Sequence, residues 1–326
     1  MTCDESVAKR VEQLVAPYFT LQEGAVDTAE WEVTDRTHGT PPDDAVRESV
    51  TAQGEVSVDY AVDHADRRLY HLAPRGEAWV TQSLLRATRA IHRSTASRRG
   101  DVFLHAGIVE LNGAGVALVG GSRSGKTSLI MASVLNGSGL MVCNDDVSLT
   151  ADADGAGVTG MGWPRSISVR LDTLDLLLGT DRAEAVRATL SHPANRTLVR
   201  LRESGVEPHG TALLYPWEYA DVLDTRVGRS ADVRAIVHLG LTDAPGEGVL
   251  EPVRASERGD LFDRHVLSLP NKHLNIFRHE PAPGGTDRTR EALTALPTFR
   301  FRYDFRDVRR QAECLAEYLN QRLPRP

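Results

Sequence analysis

Apolar positions along this chain change their period from one stretch to the next, and the changes outline its elements. Val7, Val11, Leu14 and Val15 recur at intervals of three and four, the spacing of one helical face, and predict a first amphipathic helix. Val56, Val58, Tyr60 and Val62 then alternate with Ser57, Asp59 and Ala61, and after a polar turn comes Leu69-Tyr70-His71-Leu72. Two such runs predict a hairpin with one buried face. Residues 35–44, with Pro41-Pro42, read as loop. Val80, Leu84, Ala87 and Ile91 restore the helical period and mark an amphipathic helix that runs out near the polar stretch 94–100.

Beyond residue 100, short apolar strands alternate with helices. Strands are expected over 103–111, 116–119, 140–143, 147–149, 167–171, 233–239 and 299–303, and helical or turn segments over 171–187 and 293–295. A last helix over 307–319 places Val308, Ala312, Leu315 and Leu319 on one face. Segments 244–248 and 281–285 read as loops, and no internal repeat is present. The expected architecture is α/β with a mixed sheet: a catalytic domain over 101–326, preceded by a small α+β module over 1–100.

Composition narrows the class. At 326 residues and 41% apolar the chain can bury a proper core. Its net charge of -7, with no stripe of basic residues and interleaved aromatics, argues against nucleic acid as a partner. Cys3, Cys143 and Cys314 are far apart and lack metal-ligand spacing, so a reducing compartment without structural zinc is the expectation. The polar, acidic N-terminus and the lack of a run of about eighteen apolar residues predict neither signal peptide nor membrane span, hence a cytoplasmic protein.

The sharpest chemical signal is Gly120-Gly121-Ser122-Arg123-Ser124-Gly125-Lys126-Thr127, which fits the Walker A pattern G-x-x-x-x-G-K-[ST] at every fixed position. It follows the apolar run Val116 to Val119 and leads into a helical stretch from Ser128, so the context is strand, loop and helix. Glycines let such a loop close around phosphate oxygens, and the helix start presents N–H groups to them. Lys126 is expected at the β and γ phosphates of ATP, and the Thr127 hydroxyl on Mg²⁺. The chain has only three lysines, Lys9, Lys126 and Lys272. A lysine retained in an arginine-rich chain marks a place where a compact ammonium is needed, so Lys272 is a candidate for chemistry, while Lys9 sits on a polar helix face.

Asn144-Asp145-Asp146 closes an apolar strand one helix after the loop, where a metal-binding or base carboxylate belongs. Asp145 is expected to hold Mg²⁺ and Asp146 to accept the proton of the acceptor hydroxyl, although the sequence alone leaves the two interchangeable. Asn271-Lys272-His273-Leu274 lacks the carboxylate of the guanine-reading N-K-x-D, and no L-S-G-G-Q occurs.

The ordered set Leu104-His105-Ala106-Gly107, then 113–127, then Val142-Cys143-Asn144-Asp145-Asp146-Val147, resembles the catalytic domain of the HPr kinase/phosphorylase family. Gly160-Met161-Gly162 is similar to that family's G-L-G signature, and Arg226-Val227-Gly228-Arg229-Ser230 to its R-P-G-R-N loop. The resemblance spans about residues 100–240 and implies a fold related to phosphoenolpyruvate carboxykinase, with ATP-dependent transfer to a serine hydroxyl. It also implies roles for His105 ahead of the loop and for Arg226 and Arg229 at the transferring group. Two departures stand out. The acidic residue before G-L-G is missing, with Gly157-Val158-Thr159 in its place, and the leading module does not look like the family's. HPr itself is therefore not the expected acceptor. The expected function is a kinase for an alcohol, either the serine of a peptide or protein or a metabolite hydroxyl. The alternative is a catalytically silent nucleotide-binding regulator, and a carboxykinase is weaker because its additional Lys/His metal set is missing. Homo-oligomer formation stays open.

Overall fold

A computed structural model of the chain describes residues 1–24, 30–35, 38–50, 57–73, 77–153, 155, 157–195, 210–267, 275–277 and 286–323. The first helix, α1 (Glu5–Val15), buries Val7, Val11, Leu14 and Val15 as its spacing requires. Four strands follow: β1 (Glu32–Asp35), β2 (Val46–Val50), β3 (Val58–Asp63) and β4 (Arg68–Ala73). They form one sheet in the order β1-β4-β3-β2, with β3 and β4 as the expected hairpin and β1 parallel to β4. The sequence pattern missed β1 and β2, since the burial of β2 is confined to Val50. The long helix α2 (Glu77–Arg98) covers this sheet and continues through the polar stretch that was expected to end it. Ser94 and Ser97 are buried there, so polarity did not mean exposure.

The larger sheet is built from β5 (Val102–Leu104), β6 (Ala106–Leu111), β7 (Ala114–Val119), β8 (Gly139–Cys143), β9 (Val147–Ala151), β10 (Val158–Gly162) and β13 (Ser230–Leu241). Their order is β5-β9-β10-β13-β7-β6-β8, and β15 (Thr298–Tyr303) with its partner β14 (Val249–Pro252) extends along β13. The predicted single strand over 103–111 is two strands that break at His105. β13 lies between two parallel neighbours, β7 and β15, while β6 and β8 are antiparallel. The architecture is mixed α/β. A separate pair, β11 (Ile167–Arg170) and β12 (Thr211–Leu214), is antiparallel.

Helix α3 (Lys126–Leu135) sits in the middle of the main apolar core, with Leu129, Ile130, Met131, Ala132 and Val134 buried. Against the same core pack α4 (Leu171–Leu178), α5 (Thr180–Thr189), α6 (Pro216–Leu223) and the C-terminal helix α9 (Val308–Arg322). Helices α7 (Ala255–Asp263) and α8 (Asp287–Ala295) pack on a second core through Phe262 and Leu293. α4 and α5, which read as one segment, are separated by Gly179 at φ +80°. The core of the leading residues is shared with the rest of the chain: Tyr215, Ile276 and Phe277 pack with Val11, Tyr60 and Leu84. The loop expected at 281–285 lies outside the described residues.

Candidate phosphate-binding site

β7 delivers the chain to the glycine-rich loop at Gly120, and α3 begins at Lys126 with Gly125 as its N-cap at φ +85°. A Cβ at Gly125 would collide with the Tyr303 hydroxyl, which donates to the Ser124 carbonyl at 3.2 Å. A Cβ at Gly120 would collide with the Ser124 side chain. The loop is therefore drawn tight against β15, and its first and last glycines have separate reasons. Arg123, at φ +64°, makes the sharp corner between them. The result is a cavity of about 390 Å³ lined by Ser122, Arg123, Ser124, Gly125, Lys126, Thr127 and Ser128. Ser124 Oγ is buried without a hydrogen-bond partner among the described residues.

Lys126 is buried and folds back over its own loop. Its Nζ donates to the Gly120 carbonyl at 2.7 Å and to the Gly121 carbonyl at 3.2 Å, and it lies 3.4 Å from His105 Nε2. Burial holds the ammonium below the ordinary lysine value, and the charge of Asp145 opposes the shift. An ammonium can only donate, so the imidazole nitrogen facing it is assigned as the unprotonated one. His105 Nδ1 then carries the proton toward Asp145 Oδ1, 3.2 Å away. Asp145, His105 and Lys126 thus form one continuous polar chain along the cavity wall. His265 stands behind it, kept below the ordinary imidazole value by burial and then by the charges of Lys126 and His105.

The two carboxylates of the acidic pair diverge. Asp145 lines the cavity with Thr127, which gives two hard oxygen donors of the kind Mg²⁺ takes. Asp146 does not line it; its side chain is 6% exposed and its Oδ2 lies 2.6 Å from Arg93 Nη1 of α2. Arg165 touches both, at 3.2 Å from Asp145 Oδ2 and 3.5 Å from Asp146 Oδ2. The turn is held in place by Gly107, where a side chain would strike Ile130 and the carbonyl of Asn144.

The remaining sequence candidates fall elsewhere. Arg226 and Arg229 are exposed and do not line the cavity. Their loop is a packing device: Gly228 donates to the Met141 carbonyl at 2.7 Å, and Gly162 to the Arg229 carbonyl at 3.1 Å. Gly160 and Gly162 have packing reasons too, since side chains there would strike Ile108 and Tyr18. Lys272 lies outside the described residues, and Lys9 is an exposed partner of Glu5. Residues that sequence reasoning missed include Asn144, Ser168, Arg170, Thr173 and Thr211 on the cavity wall, and Arg93 and Arg165 around the acidic turn. No local signal marked Arg93: Arg86, Arg89 and Arg93 each follow Leu84, Ala87 or Ile91 by two residues, which puts them on the side of α2 opposite its apolar stripe, the side that spacing alone assigns to solvent.

No family model matches the chain, and no curated protein matches it. Among solved structures it is similar to the Hpr(Ser) kinase/phosphatase from Coxiella burnetii, at 12% identity and a TM-score of 0.32 over 68% of this chain and 97% of that one. That likeness is distant and decides nothing about the site. Among the described residues no helix is long and apolar enough to cross a membrane.

Proposed function

We propose that the chain is an ATP- and Mg²⁺-dependent phosphotransferase with an alcohol as acceptor. One observation carries the reading: the glycine-rich loop, Lys126 and the His105–Asp145 pair line a single cavity. A pure nucleotide holder has no use for a carboxylate-oriented histidine beside its phosphate lysine, whereas phosphoryl transfer needs a proton acceptor there. Thr127 and Asp145 are the residues that would hold Mg²⁺, which when bound neutralises phosphate oxygens and orients them.

The chain's own groups divide the remaining work. Backbone N–H groups of 122–127 and the start of α3 hold the phosphates. Lys126 Nζ exchanges its carbonyl contacts for phosphate oxygens, which frees His105 Nε2. His105 then takes the proton of the acceptor hydroxyl as that oxygen bonds to the γ-phosphorus. The bond from the γ-phosphorus to its bridging oxygen breaks, and ADP leaves with that oxygen's charge. Asp145 keeps the imidazole oriented and balances the charge it gains. Asp146, committed to Arg93, serves by fixing the turn.

Calorimetric titration of ATP, paired with transfer assays over serine peptides and small hydroxyl compounds, tests the reading. ATP bound by wild type but not released as ADP with any acceptor, nor in the slow reaction with water, would favour the silent nucleotide-binding regulator. That second reading has one observation behind it, the arginine partners on both carboxylates.

A further inference from the structure

The acidic turn 144–146 carries more positive charge around it than its two carboxylates balance. Arg93 and Asp146 neutralise each other in the interior, each side chain 6% exposed. Two further guanidinium groups adjoin them. Arg165 spans Asp145 and Asp146 from a partly open position, its side chain 44% exposed. Arg89 donates to the carbonyl of Pro164 at 3.3 Å, the residue next to Arg165, and has no carboxylate partner among the described residues. A guanidinium has five N–H donors, and among the described residues Arg89 meets the Pro164 carbonyl with one of them. Burial first, and then the charge of Arg165, pull the Arg89 guanidinium down to about 9, with Asp146 opposing.

Phosphoryl transfer sharpens this imbalance. Asp145 is the carboxylate that must serve both His105 and a divalent cation, and either demand competes with Arg165 for the same group. We infer that Arg165, once drawn off Asp145, and Arg89 form an anion subsite for the acceptor, which therefore carries a carboxylate close to its hydroxyl; this subsite rests on the phosphotransferase reading. The planar fork of arginine matches a carboxylate with two parallel hydrogen bonds. Because Arg165 adjoins Asp145, a hydroxyl at the His105–Asp145 pair leaves room for only a short spacer before the carboxylate. A hydroxy acid meets this condition, and so does a serine with an acidic neighbour in a peptide.

The test uses the full chain with the phosphate cradle saturated by Mg²⁺ and a non-hydrolysable ATP analogue, so that any further anion must bind elsewhere. Glycerate is titrated as the probe and followed through arginine side-chain NMR signals. A serine peptide with Asp beside the serine, and its Asn counterpart, are titrated in parallel. Wild type is expected to show saturable binding of glycerate or of the Asp peptide, with the Asn peptide weaker. Arg165→Gln and Arg89→Gln should each weaken it about tenfold or more, the loss of a charged hydrogen-bonding partner. Which of the two probes binds separates the hydroxy acid from the peptide. Arg165 is exposed enough for its variant to keep the fold, which a thermal melt checks. Equal affinity for the Asp and Asn peptides with no glycerate binding, or unchanged binding in both variants, would overturn the subsite. An analogue that fails to bind in the first place would instead overturn the phosphotransferase reading on which the subsite depends.

Discussion

Lys126 shows why this position takes an ammonium on a flexible stem. It reaches two loop carbonyls and an imidazole nitrogen at once, a set of contacts that a planar guanidinium fork would not match. Lys126→Ala should lower ATP affinity about ten- to hundredfold, the equivalent of one charge-assisted contact of about 1.5 to 3 kcal/mol. Calorimetry reads this directly, and wild-type affinity in the variant would show that the lysine holds no phosphate. At the neighbouring acidic pair the two asparagine variants should separate. Asp145→Asn is expected to lower transfer by about 10² to 10⁴, with reduced Mg²⁺ dependence. Asp146→Asn should leave ATP affinity intact and act mainly on stability, because its carboxylate faces Arg93 rather than the cavity. Steady-state kinetics against Mg²⁺ concentration compares the two, and a larger loss in Asp146→Asn would return the proton-acceptor role to that residue.

At the scale of elements, α2 and the loop after β7 each depend on one close contact. The Arg93 pair ties α2, a helix of the leading residues, to the end of β8 through the turn. Removing Arg93 takes the close hydrogen bond from Asp146 and leaves it only the longer contact with Arg165, so Arg93→Met should cost about 1 to 3 kcal/mol in denaturant unfolding. Adding Asp146→Asn to it should recover much of that loss, and strict additivity of the two changes would show that the pair does not act as a unit. The glycine-rich loop tests a different limit. Gly125→Ala meets both a left-handed backbone and the Tyr303 hydroxyl, so nucleotide affinity should fall even though no phosphate contact is deleted. Combining it with Tyr303→Phe relieves only the collision, and partial recovery in a nucleotide titration is the expected result.

Across the whole molecule, buried neutral histidines predict how stability responds to acid. His192 is pushed down to about 4 by burial and then the charge of Arg86, and His238 to about 4 by burial and then His265, Arg300 and Arg264. Unfolded, each would titrate near the ordinary value of 6.5. Between these limits the unfolded chain binds protons that the folded chain refuses, so stability is full above about 6.5 and falls until about 4. Denaturant melts at several pH values should show that slope, flattened in His192→Gln and in His238→Gln. A slope unchanged by both substitutions would mean that other groups set the acid response.

Period and motif alone determined a good part of this protein. The strand-loop-helix unit at 114–135, the α1 face, the β3–β4 hairpin and the long strand β13 follow from local spacing, because a side chain's face is set by helical or strand geometry within a few residues. Glycine at 125 was legible for the same reason, since the loop's own backbone demands it. What the tertiary structure decided is the placement of two adjacent carboxylates. Asp145 and Asp146 are alike in sequence, and only the packing of α2 and of the turn before β11 sends one into the cavity and buries the other against Arg93. Arg226 and Arg229 show the converse, a motif-like loop whose glycine packs while its arginines face water. Such outcomes depend on residues brought together from 53 positions apart, as for Arg93 and Asp146, and no local pattern records which long-range partner will reach a charge first.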